Sequence, residues 1–99
     1  METNQKFLSE FDRRFNADVI EIDNHAWMID EASKLGDMID GWPEVGEINQ
    51  ELDYILTTKK ISSVVPFNEI TGVDWLADTE TTSLFLEVLR VIKDRLTNV

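Results

Sequence analysis

The sequence predicts a mostly α, small single-domain bundle of about four helices, with one or two short β-strands at most. Three observations predict it. Apolar residues recur at the three- and four-residue spacing of a helix face over much of the chain. Ninety-nine residues make one domain and leave no room for a second. The 42% hydrophobic content, including five Phe, three Trp and one Tyr, supplies the core material that disordered acidic chains lack.

Phe7, Leu8, Phe11 and Phe15 keep helical spacing and Thr3 or Asn4 offers an N-cap, so a first helix is expected over residues 4–15, ended by Asn16 and Asp18. Val19-Ile20-Glu21-Ile22 is rich in β-branched residues and reads either as a short strand or as an extended connection packed on the helices. Asp23 or Asn24 then caps a second helix, whose stripe is Met28, Ala32, Leu35, Ile39 and Trp42. Gly41 and Pro43 close it, and Pro43 also suits the first turn of a third helix, where a missing N–H costs nothing. That helix buries Val45, Ile48, Leu52 and either Ile55 or Leu56, with Glu44 and Glu47 at its positive end. Ile61 to Val65 reads as a second short strand, limited to an edge by Pro66. Phe67 to Ala77, which contains Gly72 and no clean period, reads as a loop with a helical turn that buries Phe67, Ile70 and Trp75. Asp78 or Thr79 caps a last helix carrying Phe85, Val88, Leu89, Ile92 and Leu96, with Lys93 and Arg95 favouring its C-terminal end.

The charge is regional. Of the formal net charge of −11, residues 18–53 hold −10, from eleven acids and the single base Lys34. Residues 1–17 balance three acids with three bases, and residues 54–99 set six acids against five bases. Such polarity repels itself in the compact state, attracts cationic partners and speeds their encounter. Nucleic acid phosphates and anionic membranes would be repelled, so the expected partner is a basic protein. The absence of cysteine excludes disulfides and thiolate chemistry. Residues 1–6 lack the basic-then-apolar pattern of a signal peptide, and no apolar run reaches membrane-spanning length, so a cytoplasmic protein is expected.

Within the acidic stretch, Glu44, Glu47 and Glu51 follow one another at i+3 and i+4 with Asp40 just before them, and Asp30 and Asp37 share a face of the second helix. Like charges at these spacings destabilise a helix, and a sequence selected for stability alone would intersperse lysines. If the second and third helices pack as neighbours across Gly41, the carboxylates form one continuous negative surface. Trp42, between Asp40 and Glu44, and Tyr54, beside Asp53, are candidate apolar anchors within it. The expected partner-binding set is therefore Asp30, Asp37, Asp40, Trp42, Glu44, Glu47, Glu51, Asp53 and Tyr54. Against it stands the plain reading of a solvated surface that aids solubility. Trp27 and Trp75, like Trp42, lie near element ends and serve as core lids or interface anchors.

No chemistry-bearing motif competes with this reading. The only histidine, His25, has carboxylates nearby but no ligand-spaced pattern, so it reads as a structural or surface histidine, and neither metal nor cofactor is expected. The serines lack a nucleophile elbow and the four glycines form no phosphate loop, so no enzyme is expected. In size and charge the chain is similar to the small acidic immunity proteins that bacteria pair with nuclease toxins. That comparison implies an inhibitor covering the cationic face of a basic nuclease. Two alternatives are a phage-type DNA mimic that inhibits restriction or CRISPR proteins, and a helical interaction module with an apolar groove, marked by exposed Phe11, Met28 or Met38.

Overall fold

Five α-helices make up the regular structure of residues 2–99 in the computed structural model: α1 (Gln5–Phe15), α2 (His25–Asp40), α3 (Val45–Thr58), α4 (Ile61–Thr71) and α5 (Thr79–Asp94). The mostly helical fold holds. Two expectations need correction, because there are five helices rather than about four and no strand among the described residues.

Three of the expected caps form. Asn4, Asn24 and Asp78 each accept a backbone N–H of the first turn, from Phe7, Trp27 and Thr81 respectively. Residues 19–22 form a turn-rich connection, not a strand. They have no neighbouring strand to pair with, and Ile20 and Ile22 instead pack inward against the helical core. Pro43 lies in the turn before α3 and not in its first turn, since the helix starts at Val45 with Glu44 as its N-cap. Ile61–Val65 is the first half of α4, which runs through Pro66. Tertiary packing overrides the local signal here: Val64, Phe67 and Thr71, spaced along one helix face, are buried against α1. The expected loop thus begins only at Gly72, which ends α4 with φ +72°, a left-handed conformation suited to glycine.

Helix directions follow from the side chains that meet. Along α1 and α4, Phe7 meets Phe67 and the Ala17 N–H donates to the Thr71 carbonyl, so the two helices run parallel. Along α2 and α5, His25 meets Glu87 and Asp37 meets Arg95, so this pair is also parallel. Arg14 meets Glu31 and Phe15 meets Trp27, placing α1 antiparallel to α2. The α1 C-terminus, α2 N-terminus, α4 C-terminus and α5 N-terminus therefore share one end of the bundle. α3 and α2 both pack on α5 rather than principally on each other.

The core centres on aromatic rings. Phe11 meets Phe7, Phe15, Phe67, Trp75 and Phe85 with ring centroids 4.7–6.1 Å apart, mostly edge to face. Trp75 is fully buried and donates its Nε1–H to the Thr71 hydroxyl at 3.2 Å, while its backbone N–H donates to Asn68 Oδ1. These bonds fix the segment between α4 and α5. At the other end Gly36 admits α5: a Cβ there would stand 2.7 Å from Arg95 Cβ and 2.9 Å from the Ile92 carbonyl oxygen.

Truncating Phe11 to Ala should cost about 3–5 kcal/mol, as large-to-small changes of buried aromatic residues do. Gly36→Ala should cost about 1–3 kcal/mol by overpacking, in spite of alanine's better helix propensity. Urea unfolding followed by circular dichroism measures both, and a Gly36→Ala variant as stable as the parent would contradict the close approach of α2 and α5.

Candidate functional site

Each acid expected to line a docking surface finds its place in this bundle, and most are engaged within the chain. Asp37 receives Arg95 through two bonds, Nε at 2.7 Å and Nη2 at 2.9 Å. The guanidinium holds the Asp37 carboxyl below the usual carboxylate range. The Asp40 carboxylate accepts the backbone N–H groups of Asn98 and Thr97 and both of their side chains, tying down the C-terminal segment. Those bonds, the Asn98 N–H foremost, lower its pKa. Asp30 is exposed and pairs with Lys34 at 3.0 Å, and Glu31 lies between Lys34 and Arg14. Glu44 meets Lys6 at 3.3 Å. The Lys6 ammonium also sits 4.3 Å from the ring centroid of Trp42, which is half-buried against the core. The indole is thus covered by a cation of its own chain and is no exposed anchor inside a negative ring.

Glu51 departs furthest from the expected surface. It is 3% exposed, with Oε1 accepting the Asn4 N–H and Oε2 buried with no partner among the described residues. Burial pushes its carboxyl pKa up, with Glu47 adding repulsion, against the lowering effect of the Asn4 bond. Glu47, which accepts the Asn4 side-chain amide at 2.8 Å, and Asp53 are exposed on α3. Tyr54 is half-buried, with the Lys60 ammonium 5.6 Å from its ring centroid. α2 and α3 are joined mainly through α5, so packing between them is not what positions their carboxylates.

The concentration of unpaired charge lies elsewhere. At the end of the bundle shared by four helix termini, residues 16–25 and 69–83 bring seven acids and no lysine or arginine: Asp18, Glu21, Asp23, Glu69, Asp74, Asp78 and Glu80. The two segments are joined by the bond from Ala17 to Thr71. One shallow cleft is lined by Asp12, Asp18 and Glu69, and another by Asp23, Asp78 and Glu80. None of these acids has a basic side chain within 4 Å among the described residues. Val19 stands among them, 49% exposed. Sequence reading passed over this pole because it weighed acids along the chain, where the second segment falls in a nearly neutral stretch. A count of base-free windows would have flagged both halves. His25 adjoins the pole and meets Glu87 at 3.0 Å. Among the described residues no three metal-capable side chains converge on a chelating geometry.

No protein-family model matches the chain, and neither a curated protein nor a solved structure shows significant similarity to it.

The pKa directions set the pH response. For Glu51 the native value exceeds the ordinary glutamate value, so the folded state holds the proton more tightly and stability declines as pH rises through that interval. For Asp37 and Asp40 the native values are depressed. Their contributions are present above the ordinary aspartate value and lost as pH falls through the native ones. Glu51→Gln keeps the acceptor for Asn4 and removes the buried charge. It should be more stable than the parent at pH 7, with the advantage vanishing below the ordinary glutamate range; Glu51→Lys should lose about 3–5 kcal/mol, as uncompensated buried charges do. Denaturant midpoints across pH 3–8 measure both, and a Glu51→Lys variant of parental stability would place Glu51 at the surface.

Proposed function

We propose that this chain is a small acidic protein that binds and neutralises a basic partner protein, in the manner of an immunity-type inhibitor of a nuclease toxin. The observation that carries the reading is the pole of seven acids with no lysine or arginine among them, gathered from two segments far apart in sequence. Among the described residues fourteen of the twenty acids have no ion pair, so pairing within the fold leaves the negative excess in place. Gathering that excess at one end is costly to the bundle through like-charge repulsion, and a cationic partner would relieve it. Exposed Val19 supplies an apolar contact within the ring of acids, the combination of central burial and polar rim found in tight interfaces.

The alternatives fit less well. A duplex mimic needs carboxylates spread along an elongated surface, whereas here the acids without a basic partner gather at one end of a bundle with extents of 32 × 26 × 20 Å. For an apolar-groove module, two of the three marker residues, Phe11 and Met28, are fully buried, and only Met38 is exposed, at 37%.

The test is capture from the native host on the immobilised chain at low salt, elution by a salt gradient, and assay of the eluted basic proteins for nuclease activity. The expected result is a nuclease silenced at one-to-one stoichiometry. Reversing Asp18, Glu21 and Asp23 to lysine should leave the helical circular dichroism intact and slow association by roughly an order of magnitude or more at low ionic strength. A nuclease bound by the reversed variant at the parental rate would sink the acidic-pole reading.

A further inference from the structure

The carboxylates that the sequence sets at i+3 and i+4 along the first half of α3 hold a segment of the chain. Glu51 accepts the Asn4 N–H, Glu47 accepts the Asn4 side-chain amide at 2.8 Å, and Glu44, just before the helix, meets Lys6 at 3.3 Å. We infer that Glu44, Glu47 and Glu51 form a proton-sensitive latch, in which ionisation of the buried Glu51 releases residues 2–6 and uncovers Trp42. The inference goes beyond the proposed function and needs no partner protein.

Three features carry it. First, residues 2–6 include no apolar side chain, and the core begins at the fully buried Phe7. The segment is held by hydrogen bonds and by the cation of Lys6, without apolar burial, as are the elements that open locally at low cost. Second, these contacts meet at the helix start. Asn4 accepts the Phe7 N–H at its Oδ1 and the Leu8 N–H at its carbonyl, so the residue held by Glu47 and Glu51 also caps α1. Its release frees the first turn, and with it Lys6, which lies over the Trp42 ring. Third, the latch contains a buried carboxylate with hydrogen bonds unmade. Glu51 is 3% exposed and its Oε2 has no partner among the described residues. Ionised in that position, it lacks the water that it regains in the open form.

The charged neighbours do not offset that cost. Glu2 and Lys6 lie at the start of α1, and α5, on which α3 packs, carries Glu87, Arg90, Lys93 and Asp94. Among the described residues none of them forms an ion pair with Glu51. Burial holds the Glu51 carboxyl above the ordinary glutamate value, opposed by the Asn4 bond and reinforced by Glu47. The docked form therefore binds the proton more tightly than the open form. The ratio of docked to open falls as pH rises from the ordinary glutamate value to the docked one, and it levels off above. In the open form Glu44, Glu47 and Glu51 lose their partners at the start of α1, and Trp42 loses its cover.

The experiment is amide hydrogen exchange of the intact chain, followed by 15N–1H NMR from pH 4 to 8 and expressed as protection relative to an unstructured peptide, so that base catalysis cancels. Protection of the Phe7 and Leu8 amides should fall about threefold or more as pH rises through the interval and then level off, without response to dilute urea. The Trp42 indole N–H resonance, assigned through Trp42→Phe, should move over the same interval. Glu51→Gln keeps the acceptor for Asn4 and removes the titration, so its Phe7 and Leu8 protection should not vary with pH. Lys6→Gln removes the cover of Trp42, and it should lower that protection while keeping the pH dependence. Parental protection that does not vary with pH, or a pH dependence that persists in Glu51→Gln, would overturn the inference. So would Phe7 and Leu8 amides that exchange at the rate of the Leu89 amide and with its urea dependence, since release would then be global unfolding.

Discussion

The acidic stretch from Asp18 to Asp53 contains one lysine and no arginine, so most of the cations and hydrogen-bond donors that meet its carboxylates arrive from outside it. That constraint organises the molecule. Lys6 and Arg14 come from α1, Arg95 from the end of α5, and the backbone of Thr97 and Asn98 closes on Asp40. The cations engaged in this way tie α1 to α2 and α3 and tie α5 to α2, so that charge pairing and core packing specify the same arrangement. Exposed pairs of this kind are individually worth little, about 0–1 kcal/mol. Their effect is on which acids remain available, while the aromatic cluster around Phe11 supplies the cohesion.

The proposed function rests on the remainder. Once α2 and the start of α3 are largely satisfied, the surplus negative charge falls at the opposite end of α2, where the α1–α2 and α4–α5 connections meet. The first of these connections is short of regular structure, carries Val19 outward and holds three acids within six residues. The second is pinned by Trp75, Thr71 and Asn68. An acidic loop held against a rigid scaffold is a surface on which charge can steer a partner and a preformed geometry can then hold it.

Much of the fold was legible in the sequence. The stripes Phe7-Phe11-Phe15, Met28-Ala32-Leu35-Ile39 and Phe85-Val88-Leu89-Ile92 are buried as their spacing implied, because long amphipathic periods leave one solution. α4 was illegible for a physical reason: Ile61, Val64 and Val65 are β-branched and Pro66 breaks the helical ladder, so local preference opposes the helix that packing against α1 imposes. The acidic residues were legible in the sequence, and their partners within the fold were not. A cluster at i+3 and i+4 reads as a surface, yet Glu51 turns inward because its helix face meets the start of α1, a contact between residues 47 apart in sequence. Likewise Trp42 could not be seen to lie under Lys6 until the chain was folded.

The central claim is that folding relocates the available negative charge from α2 and α3 to the pole formed by residues 16–25 and 69–83. The most direct measurement is residue-by-residue paramagnetic relaxation enhancement of the amides by a cationic nitroxide, divided by that from a neutral nitroxide of the same shape. The account predicts the largest cationic excess at Asp18 to Asp23 and at Glu69 to Glu80, with a smaller one along residues 30–40. An excess that peaks along residues 30–47 would contradict it.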